Sequence, residues 1–258
     1  MNKEIRKKII DMVYKAGDGH IPSGLCIVEI LNVLYRDILK YDPKNPKWEG
    51  RDYFILSKGH GSDGFYVILE KYGFLTQKDL DTFTKYDSKL GGLADRTKVP
   101  GVEAAGGSLG HGFPVSLGMS LGLRIQGKSN RVFVLIGDAE CNEGAVWETV
   151  LLAAHHRLGR LYCIVDDNKS SSQILEMGSI SEKFRAFGWN AYDVDGHNEE
   201  ALLDVFKKLP NEAYGKPTAI IAHTIKGKGA KMLEGHGVWH SKAPNTEEYA
   251  QIMEQLED

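Results

Sequence analysis

Val132-Phe133-Val134-Leu135-Ile136 is an unbroken apolar run, and Leu161-Tyr162-Cys163-Ile164-Val165 repeats it after one helical stretch. A strand with one wet face alternates polar and apolar side chains, whereas a strand apolar at every position has to be covered on both faces. Between the two runs, Glu143 to about Arg157 carries Val146, Trp147, Val150, Leu151, Ala154 and Leu158 along one side, the mark of a covering helix. The alternation continues with a helix over 181–187, a strand over 189–194, a helix over 198–208 and a strand at Thr218–His223. This pattern predicts an α/β fold: a doubly wound, mostly parallel sheet with helices on both faces.

Upstream, helical spacing of apolar residues predicts helices over 3–16 and 25–40, separated by a shaped loop, Gly17-Asp18-Gly19-His20-Ile21-Pro22-Ser23-Gly24. Tyr53-Phe54-Ile55-Leu56 is a short strand opening into Ser57-Lys58-Gly59-His60-Gly61. Residues 88–112 hold seven glycines in 25 positions with no apolar period, an irregular stretch of the length that usually carries function. No repeat or linker interrupts the chain, so a single domain over 1–258 with an irregular tail from about 226 is expected.

Charge excludes some classes of partner. With 32 Lys+Arg against 35 Asp+Glu the net charge is −3, which gives no basic footprint for nucleic acid. Cys26, Cys141 and Cys163 form no CxxC and leave an odd count, arguing for a reducing compartment over a disulfide framework. The first twenty residues are charged at positions 3, 4, 6, 7 and 8, so neither a signal peptide nor a membrane span is expected. A cytoplasmic location follows as the expectation.

In open parallel sheets, ligands gather beyond the carboxyl ends of the strands. Gly137-Asp138-Ala139-Glu140 directly follows one apolar run and Asp166-Asp167-Asn168-Lys169 the other, which sets Asp138 and Asn168 on neighbouring strand ends. One carboxylate and one amide oxygen make half a shell for Mg²⁺ (or Ca²⁺ or Mn²⁺) that also carries phosphate oxygens. A small residue at 139 lets its backbone N–H approach a phosphate at a helix N-terminus. Taken alone, the pair is equally compatible with a helix cap and a turn residue. The spacing argues further: Gly137-Asp138-Ala139, 27 residues, then Asp167-Asn168 is close to the thiamine diphosphate motif, Gly-Asp-Gly followed by Asn-Asn, with Ala and Asp at the deviating places.

Other segments share that character, in order. They are Gly19-His20-Ile21-Pro22-Ser23-Gly24 with Glu29-Ile30-Leu31, Leu56-Ser57-Lys58-Gly59-His60-Gly61, and Pro100-Gly101-Val102-Glu103 with Gly107-Ser108-Leu109-Gly110-His111-Gly112. Glu143-Gly144-Ala145-Val146-Trp147-Glu148, Thr224-Ile225-Lys226-Gly227-Lys228-Gly229 and Trp239-His240-Ser241-Lys242-Ala243-Pro244 complete the set. Together these resemble the transketolase family across residues 17–244.

The resemblance covers only that family's diphosphate-binding (PP) domain, and so implies one subunit of a split transketolase. A separate C-terminal subunit would supply the pyrimidine-binding domain, and two copies of each chain would form the assembly. It implies thiamine diphosphate and Mg²⁺, with transfer of a two-carbon ketol unit from a ketose donor to an aldose acceptor, typically sugar phosphates. Asp138 and Asn168 would be side-chain ligands to the metal, with the Ser170 carbonyl as third. Gly137, Ala139 and His60 would hold the diphosphate, and Gly107, Ser108 and Leu109 would pack on the rings. His20, His60 and His240 would surround the reacting carbon, with His240 also touching the cofactor; imidazole suits proton transfer near neutral pH. Glu143 matches a glutamate thought to couple two active sites. His155, His156, His197 and His223 are expected to be structural or surface residues, Trp147 and Trp239 packing anchors, and the roles of His111 and His236 stay open.

One departure bears on substrate. Where the family has Gly-His-Pro, this chain has Gly92-Leu93-Ala94, and leucine cannot donate a hydrogen bond to the donor sugar. Arg96, Lys98 or a partner residue would have to compensate, or the donor is less hydroxylated, pyruvate being an example. Two enzyme alternatives are a 1-deoxyxylulose-phosphate synthase-like protein and a 2-oxo acid dehydrogenase α-chain. A third is a non-catalytic subunit whose motif, with Ala139 and Asp167, has lost the cofactor.

Overall fold

The structure, a computed structural model, describes residues 2–173 and 175–257. In chain order its elements are α1 (Lys3–Ala16), α2 (Ile21–Leu25), α3 (Val28–Val33), β1 (Tyr53–Leu56), α4 (Ser62–Lys71), α5 (Gln77–Leu80), α6 (Gly112–Ile125), β2 (Val132–Gly137), α7 (Gly144–His155), β3 (Leu161–Asp167), α8 (Ile180–Ala186), β4 (Asn190–Asp195), α9 (Glu199–Lys207), β5 (Thr218–His223) and α10 (Thr246–Gln255). The strands form one sheet in the order β1-β2-β3-β5-β4. Every pairing is parallel, so the expected mostly parallel sheet is wholly so.

The apolar runs are buried on both sides, as their lack of alternation requires. Phe54, Leu56, Phe133, Leu135, Tyr162, Ile164, Ile220 and Ala222 face a core built with α1, α3, α4, α9 and α10. The intervening positions Ile55, Val132, Val134, Ile136, Leu161, Cys163, Val165 and Ile221 face a second core with α6, α7 and α8.

Three expectations need correction. The loop at 17–24 contains α2, whose five residues are all buried; Pro22 lies in its first turn and Gly24 lets it lie against Gly64 of α4. The helix expected over 25–40 is instead α3 followed by a π-helical turn at Leu34–Ile38. The tail after 226 is not irregular throughout, since it ends in α10, capped by Asn245 and packed on α1 with Tyr249 stacked on Tyr14 at 4.1 Å between ring centroids. Along α7 the buried residues are Val146, Thr149, Val150 and Ala153, whereas Leu151 is 56% exposed. Among the described residues no helix is long and apolar enough to cross a membrane. Cys26, Cys141 and Cys163 are all buried free thiols.

Candidate active site

β2 and β3 run side by side with Gly137 paired to Asp166, so the residues that follow them leave the sheet together. Asp138 opens a 3-10 turn over Asp138–Asn142 and is almost wholly buried. Its carboxylate accepts the Ala139 N–H at 2.9 Å and the Ser171 N–H at 3.0 Å. Asn168 Oδ1 accepts the Ser170 N–H at 3.0 Å and the Ser170 hydroxyl at 2.5 Å. Asp138 and Asn168 therefore hold consecutive residues of one short loop, which the left-handed Lys169 (φ 64°) turns back toward β2. Burial pushes the Asp138 carboxyl above its ordinary pKa, and the neighbouring Asp166 and Asp167 push it the same way. Among the described residues no three His, Cys, Asp or Glu side chains gather as a cation cage. A cation here would draw on Asp138, on amide and backbone oxygens, and on its own phosphate ligands.

Behind Asn168 lies a buried ionic centre that the sequence did not disclose. Asp166 Oδ2 accepts from Asn168 Nδ2 at 2.8 Å and from the Lys58 ammonium, while its other oxygen accepts from Thr224. Lys58 also donates to the Ser23 carbonyl at 3.1 Å and to Cys26 Sγ at 3.0 Å. The Asn168 amide is thus turned so that Oδ1 faces the Ser170 loop.

Across from this loop, three imidazoles converge from three segments. His20 precedes α2, His60 lies in the Gly59–Gly61 turn, and His240 lies in the Val238–Ser241 turn. Ring centroids are 4.6 Å apart for His20 and His60, 5.1 Å for His60 and His240, and 5.7 Å for His20 and His240. Burial lowers the pKa of all three, and Lys226 adds to it; His60, also facing the other two rings and Lys58, falls to about 4. All three are neutral at pH 7. Among the described residues His20 Nδ1 is buried without a hydrogen-bond partner, an orphan that calls for a ligand.

Lys226 joins the two halves. Its ammonium donates to Ser170 Oγ at 3.2 Å and lies 3.4 Å from His240 Nδ1. With His236, His240 and Pro22 it lines a cavity of about 200 Å³. A larger cleft of about 650 Å³, between Lys44–Lys47 and Arg96–Glu103, is lined by Arg96 and Lys98 but by none of the three histidines, Asp138 or Asn168.

The glycine-rich stretch closes the floor. Gly106 and Gly107 lie on Gly59, and Leu93 lies over Gly59 and Gly107; a Cβ on Gly59 would come within 2.9 Å of Leu93 Cδ2. Gly107 has a left-handed φ of 140°. Glu140 ties the stretch down, accepting the Gly110 N–H at 2.8 Å, the Ser57 hydroxyl at 2.6 Å and the Gly137 N–H at 2.9 Å. Ser108 and Leu109 are exposed beyond it. Glu143 caps the start of α7, exposed beside Gly110, and among the described residues its carboxylate has no ion pair or hydrogen bond.

The transketolase thiamine diphosphate-binding domain model matches residues 1–257. The chain belongs to the transketolase family. It is 37% identical over 263 residues to one subunit of the apulose-4-phosphate transketolase of Actinobacillus succinogenes, covering 99% of this chain and 94% of that one. It is 35% identical over 258 residues to a 6-deoxy-6-sulfo-D-fructose transketolase subunit of a Clostridium species, covering 98% and 94%. The transketolase of Leishmania mexicana superposes with a TM-score of 0.92 at 27% identity, over 99% of this chain but 40% of that one. Within this transketolase domain, His197 Nε2 accepts the Ile225 N–H, and Trp147 packs on Phe184 and Phe187. His111 caps α6 with Nδ1 3.0 Å from the Leu109 carbonyl.

Lys226, Asp63 and Glu140 belong to this arrangement too, and the sequence assigns none of them a role. Asp63 accepts the His20 N–H at 2.6 Å, and among the described residues its other oxygen has no partner. Burial pushes its pKa up to about 7.

Proposed function

We propose that this chain is the N-terminal subunit of a thiamine diphosphate- and Mg²⁺-dependent transketolase, moving a two-carbon ketol unit from a ketose to an aldose. The observation that carries this reading is the pair of grips on one loop, Asp138 on Ser171 and Asn168 on Ser170, with three neutral imidazoles reached through Lys226. The residues fit the cofactor: a buried carboxylate destabilised by two neighbouring acids gains from a divalent ion, and the orphaned His20 Nδ1 gains from a polar ligand.

Asp138 and Asn168, with the Ser170 carbonyl, are the metal ligands in this reading. Gly137, the Ala139 N–H and His60 meet the diphosphate, and Gly107, Ser108 and Leu109 meet the rings. Thiamine diphosphate, when bound, supplies the ring that accepts the electron pair released on C–C cleavage. The chain handles protons and orientation. His20, His60 and His240, uncharged at pH 7, can take a donor hydroxyl proton and return it to the acceptor. Lys226 brings the positive charge that suits a diphosphate between Ser170 and His240.

A partner is part of the proposal. Val115 and Ile125 on α6 and Leu151 and Leu152 on α7 are exposed large apolar side chains on adjacent helices, an apolar surface suited to another protein chain. The relatives named as transketolase subunits support a separate C-terminal subunit supplying the pyrimidine-binding domain. In this reading Glu143, exposed at the head of α7, sits at a contact between copies and relays between paired sites, in an assembly with two of each chain. Three buried free thiols suit a cytoplasmic setting.

Sugar phosphates or related anionic sugars are the substrate class; the names of two relatives give apulose 4-phosphate and 6-deoxy-6-sulfo-D-fructose for those proteins. Leu93, lying on Gly59 and Gly107, puts an apolar wall beside the site and favours a donor with fewer hydroxyls to satisfy there. The test is turnover of fructose 6-phosphate, xylulose 5-phosphate and pyruvate by this chain combined with a C-terminal subunit. Ketol transfer by the pair and none by either chain alone is expected; transfer by this chain alone refutes the subunit reading.

A further inference from the structure

Lys226 enters the site from 225–229, a stretch in neither helix nor strand, so something else must fix its position. Two remote side chains hold that stretch. His197 Nε2 accepts the Ile225 N–H at 2.8 Å. Since that nitrogen accepts, a neutral ring carries its proton on Nδ1, which lies 3.1 Å from Glu29 Oε2 and donates to it. Glu29 is buried and also takes both arms of a buried guanidinium, Arg6 Nη1 to Oε1 at 2.6 Å and Nη2 to Oε2 at 2.8 Å. Burial alone would raise the Glu29 pKa, but the Arg6 and His197 hydrogen bonds outweigh it and bring it down to about 2. Arg6 Nε then donates to the Lys228 carbonyl at 2.8 Å.

One carboxylate therefore joins two arms that end on either side of Lys226, at the N–H one residue before it and the C=O two residues after it. Between those anchors the chain turns tightly. Gly227 has φ 78° and its N–H reaches the Pro22 carbonyl at 3.1 Å. A Cβ on Gly227 would come within 2.0 Å of the Leu233 carbonyl oxygen, and one on Gly229 within 2.7 Å of Arg6 Cδ. Replacing a buried ion pair with apolar groups is often neutral for stability, so stability alone does not explain this one.

We infer that Arg6, Glu29 and His197 form a positioning clamp that sets Lys226 between Ser170 and His240. The clamp touches neither substrate nor cofactor; it acts through the backbone on either side of Lys226. Its effect on cofactor affinity rests on the functional reading above, whereas its effect on the loop does not.

Two substitutions separate the arms of His197. His197→Asn keeps a donor where Nδ1 lies but loses the acceptor for Ile225, and His197→Gln keeps an acceptor where Nε2 lies. In the full chain alone, the Ile225 amide of His197→Asn should exchange with solvent at least about tenfold faster, one hydrogen bond's worth, with His197→Gln near wild type. Combined with the C-terminal subunit, His197→Asn should bind thiamine diphosphate with Mg²⁺ roughly tenfold more weakly, and the glutamine variant should restore it. Nitrogen-correlated NMR of the wild-type chain should show His197 protonated at Nδ1 only. Unchanged Ile225 exchange in His197→Asn, equal losses in both variants, or protonation at Nε2 overturns the clamp. If the wild-type pair binds no cofactor, the functional reading fails while the exchange result still decides the clamp.

Discussion

At Asp138 the surroundings decide what a carboxylate is for. Asp166 and Asp167 each meet a lysine, Lys58 and Lys169, whereas Asp138 among the described residues meets only the N–H groups of Ala139 and Ser171. Both Asp138 oxygens accept an N–H, so an amide there keeps one acceptor and sets its NH2 against the other donor. Asp138→Asn should therefore lower the melting temperature of the metal-free chain by no more than one lost hydrogen bond is worth. It should weaken Mg²⁺-dependent cofactor binding by roughly ten- to a hundredfold, the worth of a charged ligand contact. A larger fall in melting temperature together with unchanged binding would make Asp138 a plain cap. The imidazoles give a second prediction, in pH. His60 titrates near 4 in the folded chain and near 6.5 unfolded, so the unfolded state binds the extra proton as pH drops. The His60 contribution to stability is therefore lost from about pH 6.5 down to 4, and His60→Asn should flatten that part of a denaturation series. Asp138, Asn168 and the histidines were legible because spacing and loop glycines mark them. Lys226, Asp63 and Glu140 were not, since Lys226 and Glu140 stand inside motifs with no role of their own and Asp63 lies just past one. Only folding brings Lys226 to Ser170 and Asp63 to the His20 N–H.

At the scale of elements, β1, β2, β3 and β5 announced themselves because full burial demands apolar runs. Helix α6 did not, as Pro114, Gly118 and Gly122 interrupt its apolar period. Helix α2 was hidden by the glycines that make it possible: Gly24 and Gly64 bring α2 and α4 so close that a Cβ on Gly64 would sit 2.6 Å from the Gly24 carbonyl oxygen. Gly64→Ala should cost about 1–3 kcal/mol in chemical denaturation by overpacking this crossing, and should disturb His20 at the head of α2. Helix α10 is mostly polar, with Ile252 its buried residue, which explains why its stretch looked like tail. Ile252→Ala should cost about 2–5 kcal/mol if α10 is part of the α1 core, whereas a loss below about 0.5 kcal/mol would mark α10 as an appendage.

For the whole molecule, the segments bearing His60, Asp138, Asn168 and Lys226 follow the carboxyl ends of β1, β2, β3 and β5, and α6 and α7 expose Val115, Ile125, Leu151 and Leu152. In the proposed reading such a chain is half of a site and half of an interface. Leu151→Asp, on the exposed side of α7, should leave the fold intact and weaken association with a second subunit, read by sedimentation of the mixed chains in the ultracentrifuge. The central requirement of the proposed function is a divalent ion held at Asp138 and Asn168 by way of a diphosphate. Calorimetric titration of thiamine diphosphate into this chain with its C-terminal subunit, with Mg²⁺ and then with chelator, tests that directly. Saturable heat that needs Mg²⁺ and disappears in Asp138→Asn is the predicted result; no metal-dependent heat, or the same heat in the variant, would contradict it.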